Sequence, residues 1–218
     1  MTYRKKLIEV ALPLETISDA SAAEKNIHTG LPANLHTWWA RKPLSASRAV
    51  IFASLIDDPS SDPSLSEEQV EAERERLFSI IRRLTYPASM NDQQVLDAAN
   101  EEILRATDNA PPPLFDPFAG GGSIPLEAVR LGLEAYATDL NPVSVIISKS
   151  MIEIAPRFFN CSPVNPHDSD KLLQGVEWAG AEGLIADIEH YGNWVFEKAR
   201  DQIGSLYPAG PDGKLAIE

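Results

Sequence analysis

The run Asp116-Pro117-Phe118-Ala119-Gly120-Gly121-Gly122-Ser123 carries the most specific chemical signal in the chain. Apolar residues before Asp116 read as a short strand, and Ile124 to Leu131 reads as a helix stopped by Gly132, so the glycines lie in a strand-to-helix turn. Glycine there lets the backbone turn tightly and approach a ligand where a Cβ would collide. The Lys-Ser/Thr pair of a phosphate loop is missing, which disfavours a nucleotide triphosphatase. Pro125 and Leu126 stand where a dinucleotide fingerprint needs its later glycine, so a ligand without a pyrophosphate fits better. Asp139 lies 23 residues after Asp116, at the end of the next strand, Glu134 to Thr138. An acid at that place can accept hydrogen bonds from both ribose hydroxyls of an adenosine, with Leu140 packing on the adenine. The plainer alternative is that Asp139 opens a turn with Asn141 and Pro142, and that the glycines form only a tight connection.

A second group is His36-Thr-Trp-Trp-Ala-Arg-Lys-Pro-Leu44. Arg41 and Lys42 can offer positive charge to a carboxylate in a site otherwise rich in acid; alternatively they are solvated charges before a helix. Trp38 and Trp39 either stack on adenine or a flipped base, or anchor the loop on the core. His28 and His36 lack the spacing of a metal site, His167 and His190 read as surface residues, and the lone Cys161 excludes a Cys-rich zinc site, so no metal is expected.

The positioning elements follow from periodicity. Residues 1–56 hold the His36–Leu44 motif and a helix from Pro43, suited to a first helical position, to Ile56. Residues 57–112 read as an acidic helical insertion: a Pro/Ser/Asp linker over 57–65, then helices over 66–84 and 91–106, Ser66 and Gln69 having capping-box spacing. Residues 113–218 read as strand, glycine loop, helix, strand, then a helix capped by Asn141 through Ile154, a Pro-rich loop over 155–180 and a last helix over 182–206.

The chain has 218 residues, 44% hydrophobic and 23% charged, enough to bury a core and inconsistent with wholesale disorder. No apolar run approaches a membrane span and the start is no secretory signal, so the reading is of a soluble, cytoplasmic protein without a membrane partner. The net charge of −13 is uneven. Residues 1–50 carry seven Lys/Arg against four Asp/Glu, whereas residues 51–112 carry five against thirteen. A phosphate-facing surface therefore belongs in the first fifty residues, although no basic stripe supports strong DNA binding by this chain alone.

DPFAGGGS followed by ATDLNP resembles the cofactor motifs of S-adenosylmethionine-dependent methyltransferases, in the form found in enzymes that methylate adenine N6 or cytosine N4 in DNA. The run WWARKPLSASRAVIFASL, with DPFAGGGS and PRFFNCSPVNP, resembles the adenine-specific DNA methylases that contain a zinc ribbon. The resemblance implies an α/β, incomplete Rossmann-like methyltransferase fold with added helices, and S-adenosyl-L-methionine as cofactor. It implies a cofactor site of Asp116, Pro117, Phe118, Ala119, Gly120, Gly122 and Ser123, with Asp139, Leu140 and Asn141 on the ribose side. His36, Arg41, Lys42 and Pro43 would hold the methionine end. The Asp/Asn/Ser-Pro-Pro-aromatic tetrad that aims the target amino group in such enzymes does not occur in residues 1–218, so the catalytic residues are unknown. The zinc ribbon is missing too. The chain is thus expected to be the cofactor-binding N-terminal part of a DNA methyltransferase, inactive alone, completed in cis or in trans and reaching DNA through the complete enzyme, in restriction-modification or phage defence. Competing readings are an RNA base methyltransferase of the guanine N2 type and a non-catalytic cofactor-binding subunit.

Overall fold

A computed structural model of the chain describes residues 3–28, 30–89, 91–169 and 177–208. It divides into two units, residues 1–152 and 153–218.

The first unit is mixed α/β. Short α1 (Leu7–Val10) and α2 (Leu14–Glu24) precede α3 (Leu44–Leu55), α4 (Glu67–Thr85) and α5 (Gln93–Ala106). Strand β1 (Leu114–Asp116), α6 (Ser123–Arg130), β2 (Ala135–Ala137) and α7 (Pro142–Lys149) follow. The two strands pair in parallel with Asp116 opposite Ala137, α6 forming the crossover. The expected α/β class is observed, with a sheet of two strands among the described residues. The caps read from sequence are in place: Ser66 and Gln69 form the capping box of α4, and the Asn141 side chain accepts from the Val143 N–H. Residues 57–65 are more ordered than a linker, because the Asp58 carboxylate caps a 3₁₀ turn at Pro59–Ser61 and is gripped by Arg74 from α4.

One main core serves the unit, and Leu31, Leu44 and Leu126 form a second, smaller cluster. Leu7, Phe52, Leu77, Ile81, Leu84, Ala99, Ile103 and Leu131 are all fully or almost fully buried in a single cluster, so α4 and α5 pack into the core behind the sheet while their acidic faces meet water. Helix α3 is enclosed on most sides, its Leu44, Ser45, Ser47, Arg48, Ala49, Ile51, Phe52 and Ala53 all being buried. Two carboxylates fix its ends in the chain. Glu24, itself buried, accepts from the Leu44 and Ser45 N–H groups at 2.9 and 3.0 Å and so caps α3 from the end of α2. Glu127 on α6 meets the Arg48 guanidinium at 2.8 Å, both side chains wholly removed from water, and Arg130 approaches its other oxygen at 3.0 Å. Burial raises the Glu127 carboxyl above its ordinary range, and the Arg48 and Arg130 charges oppose that rise.

In the second unit, α8 (Ala155–Arg157) and α9 (Pro166–Ser169) lie within the stretch read as a Pro-rich loop, and α10 (Glu182–Ile203) ends in a 3₁₀ turn, Gly204–Leu206. The rest of that loop, residues 170–176, and the tail from 209 lie outside the described residues. Asp187 of α10 accepts from the Val164 and Asn165 N–H groups, tying 164–165 to the helix.

Two outcomes follow for stability. Arg48→Met alone should cost about 3–5 kcal/mol in urea denaturation by taking from the buried Glu127 carboxylate its wholly buried partner, while pairing it with Glu127→Leu should recover most of that loss. For Asp58, burial favours the neutral acid, yet Arg74 and Ser60 outweigh it and hold the carboxyl below its ordinary range. Its contribution is therefore complete above the ordinary carboxylate range and is lost as pH falls through the depressed folded value. Thermal denaturation across acidic pH should show a steeper loss in the wild type than in Asp58→Asn.

Candidate functional site

β1 delivers Asp116 to the end of the sheet, and the chain then turns through Pro117 to Gly122 into α6. The turn is held from several sides. Phe118 N–H donates to Asp116 Oδ1 at 3.1 Å, Ala119 N–H donates to the Thr138 carbonyl at 3.0 Å, and Ser144 Oγ donates to the Gly120 carbonyl. Asp139, at the end of β2, accepts from the Gly120 N–H and the Asn141 N–H, both at 2.8 Å. Those backbone donors, Asn141 first and then Gly120, hold its carboxyl below the usual carboxylate range. Asp139 thus holds the glycine loop directly, a contact the sequence reading did not include, and it also opens the Asn141 turn, as the plainer alternative has it.

A cavity of about 300 Å³ opens over this turn, lined by Trp38, Ala40, Lys42, Asp116, Phe118, Ala119, Gly120, Gly121, Ser123, Ile124 and Asp139. It brings together seven of the residues read from sequence: Lys42, Asp116, Phe118, Ala119, Gly120, Ser123 and Asp139. Others fall elsewhere. Arg41 and Pro43 line a neighbouring cavity, His36 lines neither, and Pro117, Leu140 and Asn141 stand outside the lining. Gly122, at φ +76°, is the N-cap of α6. Asp116 is nine-tenths buried, and its Oδ2 has no hydrogen-bond partner among the described residues.

Sequence reasoning gave the glycines to a ligand; the structure gives part of their space to Trp38. A Cβ on Gly120 would lie 2.7 Å from Trp38 Nε1, and one on Gly121 would lie 3.1 Å from Trp38 Cβ. Gly120 also sits at φ +51°, in the left-handed region that favours glycine, whereas Gly121 does not. Gly121 is therefore small because an indole leans on it. No local spacing reveals this, because the contact joins two segments some eighty residues apart in the chain.

Comparison with known proteins matches residues 11–80 to a family described as "Protein of unknown function (DUF1156)". A stretch of 119 residues is 29% identical to Type II methyltransferase M.MvaI of Kocuria varians, covering 53% of this chain and 23% of that protein. The chain therefore spans about a quarter of that relative's length, and it is distantly related to a methyltransferase. No solved structure matches. Among the described residues no helix is long and apolar enough to cross a membrane.

If Gly121 is small for the sake of Trp38, the two positions must be energetically coupled. Gly121→Ala should destabilise the wild type by about 1–3 kcal/mol through overpacking. The same substitution should cost far less in a Trp38→Ala background, and a double-mutant cycle by chemical denaturation reads the difference.

Proposed function

We propose that this chain is the cofactor-binding part of an S-adenosylmethionine-dependent DNA methyltransferase acting on adenine N6. The observation that carries the reading is the charge pattern of the glycine-loop cavity: a buried carboxylate oxygen of Asp116 without a partner, the ionised Asp139, and one cation, Lys42. S-Adenosylmethionine complements that pattern group by group. Its α-ammonium is a donor for Asp116 Oδ2, and its α-carboxylate is a partner for Lys42. The ribose hydroxyls are donors for Asp139, whose oxygens keep lone pairs beyond those used by the Gly120 and Asn141 N–H groups. Phe118, 81% exposed at the rim, and Leu140, 97% exposed beside Asp139, offer apolar surface to the adenine. When bound, the cofactor supplies an electrophilic methyl group on a sulfonium.

This chain's residues then bind and orient, and positioning supplies most of the catalysis in such a transfer. The group that aims the target amine belongs to a further part of the enzyme, in cis or in trans. Exposed apolar side chains on β1 and β2 (Phe115, Tyr136) and on α7 (Ile146) support such a docked part. The similarity to Type II methyltransferase M.MvaI of Kocuria varians supports methyl transfer.

Isothermal titration of the chain with S-adenosylmethionine tests the reading. Asp139→Ala and Asp116→Asn should each weaken binding roughly ten- to a hundredfold, by removing a charged acceptor from ligand donors. Affinity unchanged in both variants would remove these residues from the site. With the complete enzyme, labelled methyl groups should pass to DNA and not to RNA.

A further inference from the structure

Beside the glycine-loop cavity lies another, of about 390 Å³, lined by Ser21, Glu24, Lys25, His28, Asn34, Thr37, Trp38, Trp39, Arg41 and Pro43. Trp38 lines both, and it is the one lining residue they share. We propose that this second cavity is a docking site for an unpaired nucleotide of a DNA strand, distinct from the cofactor site. The inference deepens the methyltransferase reading and rests on it for the identity of the strand.

Three features define the ligand. The first is Trp39, 98% exposed. A tryptophan is rarely left so fully in water, and one at a cavity mouth is a stacking platform that accepts any base through its π face. The second is charge. In a chain of net charge −13, no acidic residue occurs from Lys25 to Ile56, and both Lys25 and Arg41 line this cavity. The one carboxylate in the wall, Glu24, is buried and already engaged by the α3 N-terminus through the Leu44 and Ser45 N–H groups, which screens it from an incoming phosphate. The third is a set of hydrogen-bonding groups between aromatic wall and cationic rim. The Asn34 amide is braced by the Ile27 carbonyl and by the Arg41 guanidinium at 3.2 Å, and Thr37 adds a hydroxyl. Aromatic stacking, polar edges and cations in one concavity match a base and its phosphate. Because no glycine-loop residue lines this space, the nucleotide held here is a neighbour of the target rather than the target itself. Cations contacting a phosphate make the site salt-sensitive.

The test is fluorescence anisotropy of a labelled short single-stranded oligodeoxynucleotide with the 218-residue chain at low ionic strength, alongside calorimetry with S-adenosylmethionine. Trp39→Ala should lower oligonucleotide affinity by about tenfold or more, the worth of one stacked base. Lys25→Glu should lower it comparably and flatten the salt dependence, while cofactor affinity stays at the wild-type value in both variants. Both side chains are exposed, so neither substitution threatens folding. Oligonucleotide binding unaffected by either substitution, or equal binding of the same sequence as a duplex, overturns the proposal. A chain that binds no S-adenosylmethionine yet keeps Trp39-dependent oligonucleotide binding overturns the cofactor reading and leaves this site standing.

Discussion

The buried ion pair between Arg48 and Glu127 joins the two halves of the site. Arg48 is on α3, whose first turn follows Lys42 and Pro43; Glu127 is on α6, whose first turn follows the glycine loop. Taking both charges out of water is costly, and their attraction repays that cost only where geometry is fixed and further partners share the load. Here Arg130 supplies a second guanidinium to Glu127. An apolar pair would hold two helices together equally well, but would let them slide. A charged pair with no water available penalises any register except the one that brings Lys42 to the rim of the glycine-loop cavity. The pair is thus read best as a specifier of position, with its net contribution to stability small.

The same logic runs through Glu24 and Asp139. Each is a carboxylate from one segment that accepts backbone N–H groups of another: Glu24 holds the start of α3, and Asp139 holds Gly120. Loops without a sheet ladder must satisfy their amides somehow, and carboxylate acceptors do so with direction as well as charge. The glycine loop is therefore preformed, fixed below by Asp139 and Ser144 and crossed above by Trp38.

Much of this was legible in the residues. Periodicity and caps located α4, α5, α6 and α7 to within a few residues, because Ser66, Asn141 and the glycines act locally. The strand-turn-helix logic placed Asp139 at the end of the strand after the loop, and a parallel pair joined by one helix brings those two ends together. What escaped was non-local. Nothing in the spacing of Arg48 and Glu127 announces that they meet, since α4, α5 and β1 separate them in the chain. Helix α3 buries Ser45, Ser47 and Arg48 along with its apolar residues, because it is enclosed by neighbours whose approach no local pattern encodes. The motif His36 to Leu44 was read as one functional piece, whereas its residues divide between two cavities: Lys42 in one, Arg41 and Pro43 in the other, and Trp38 in both.

That division makes sense of two costs that the fold alone does not require. Asp116 keeps a buried oxygen without a partner among the described residues, a penalty of about 1–3 kcal/mol that a purely structural turn has no reason to carry. Trp39 keeps a whole indole in water a short step from Trp38, which is packed. A chain relaxing toward greatest stability would discard both. Asp116 lines one cavity and Trp39 the other, and Trp38 lines both. A zwitterionic cofactor would relieve the first cost and a stacked base the second, so the two costs point to two different ligands at neighbouring places on one surface.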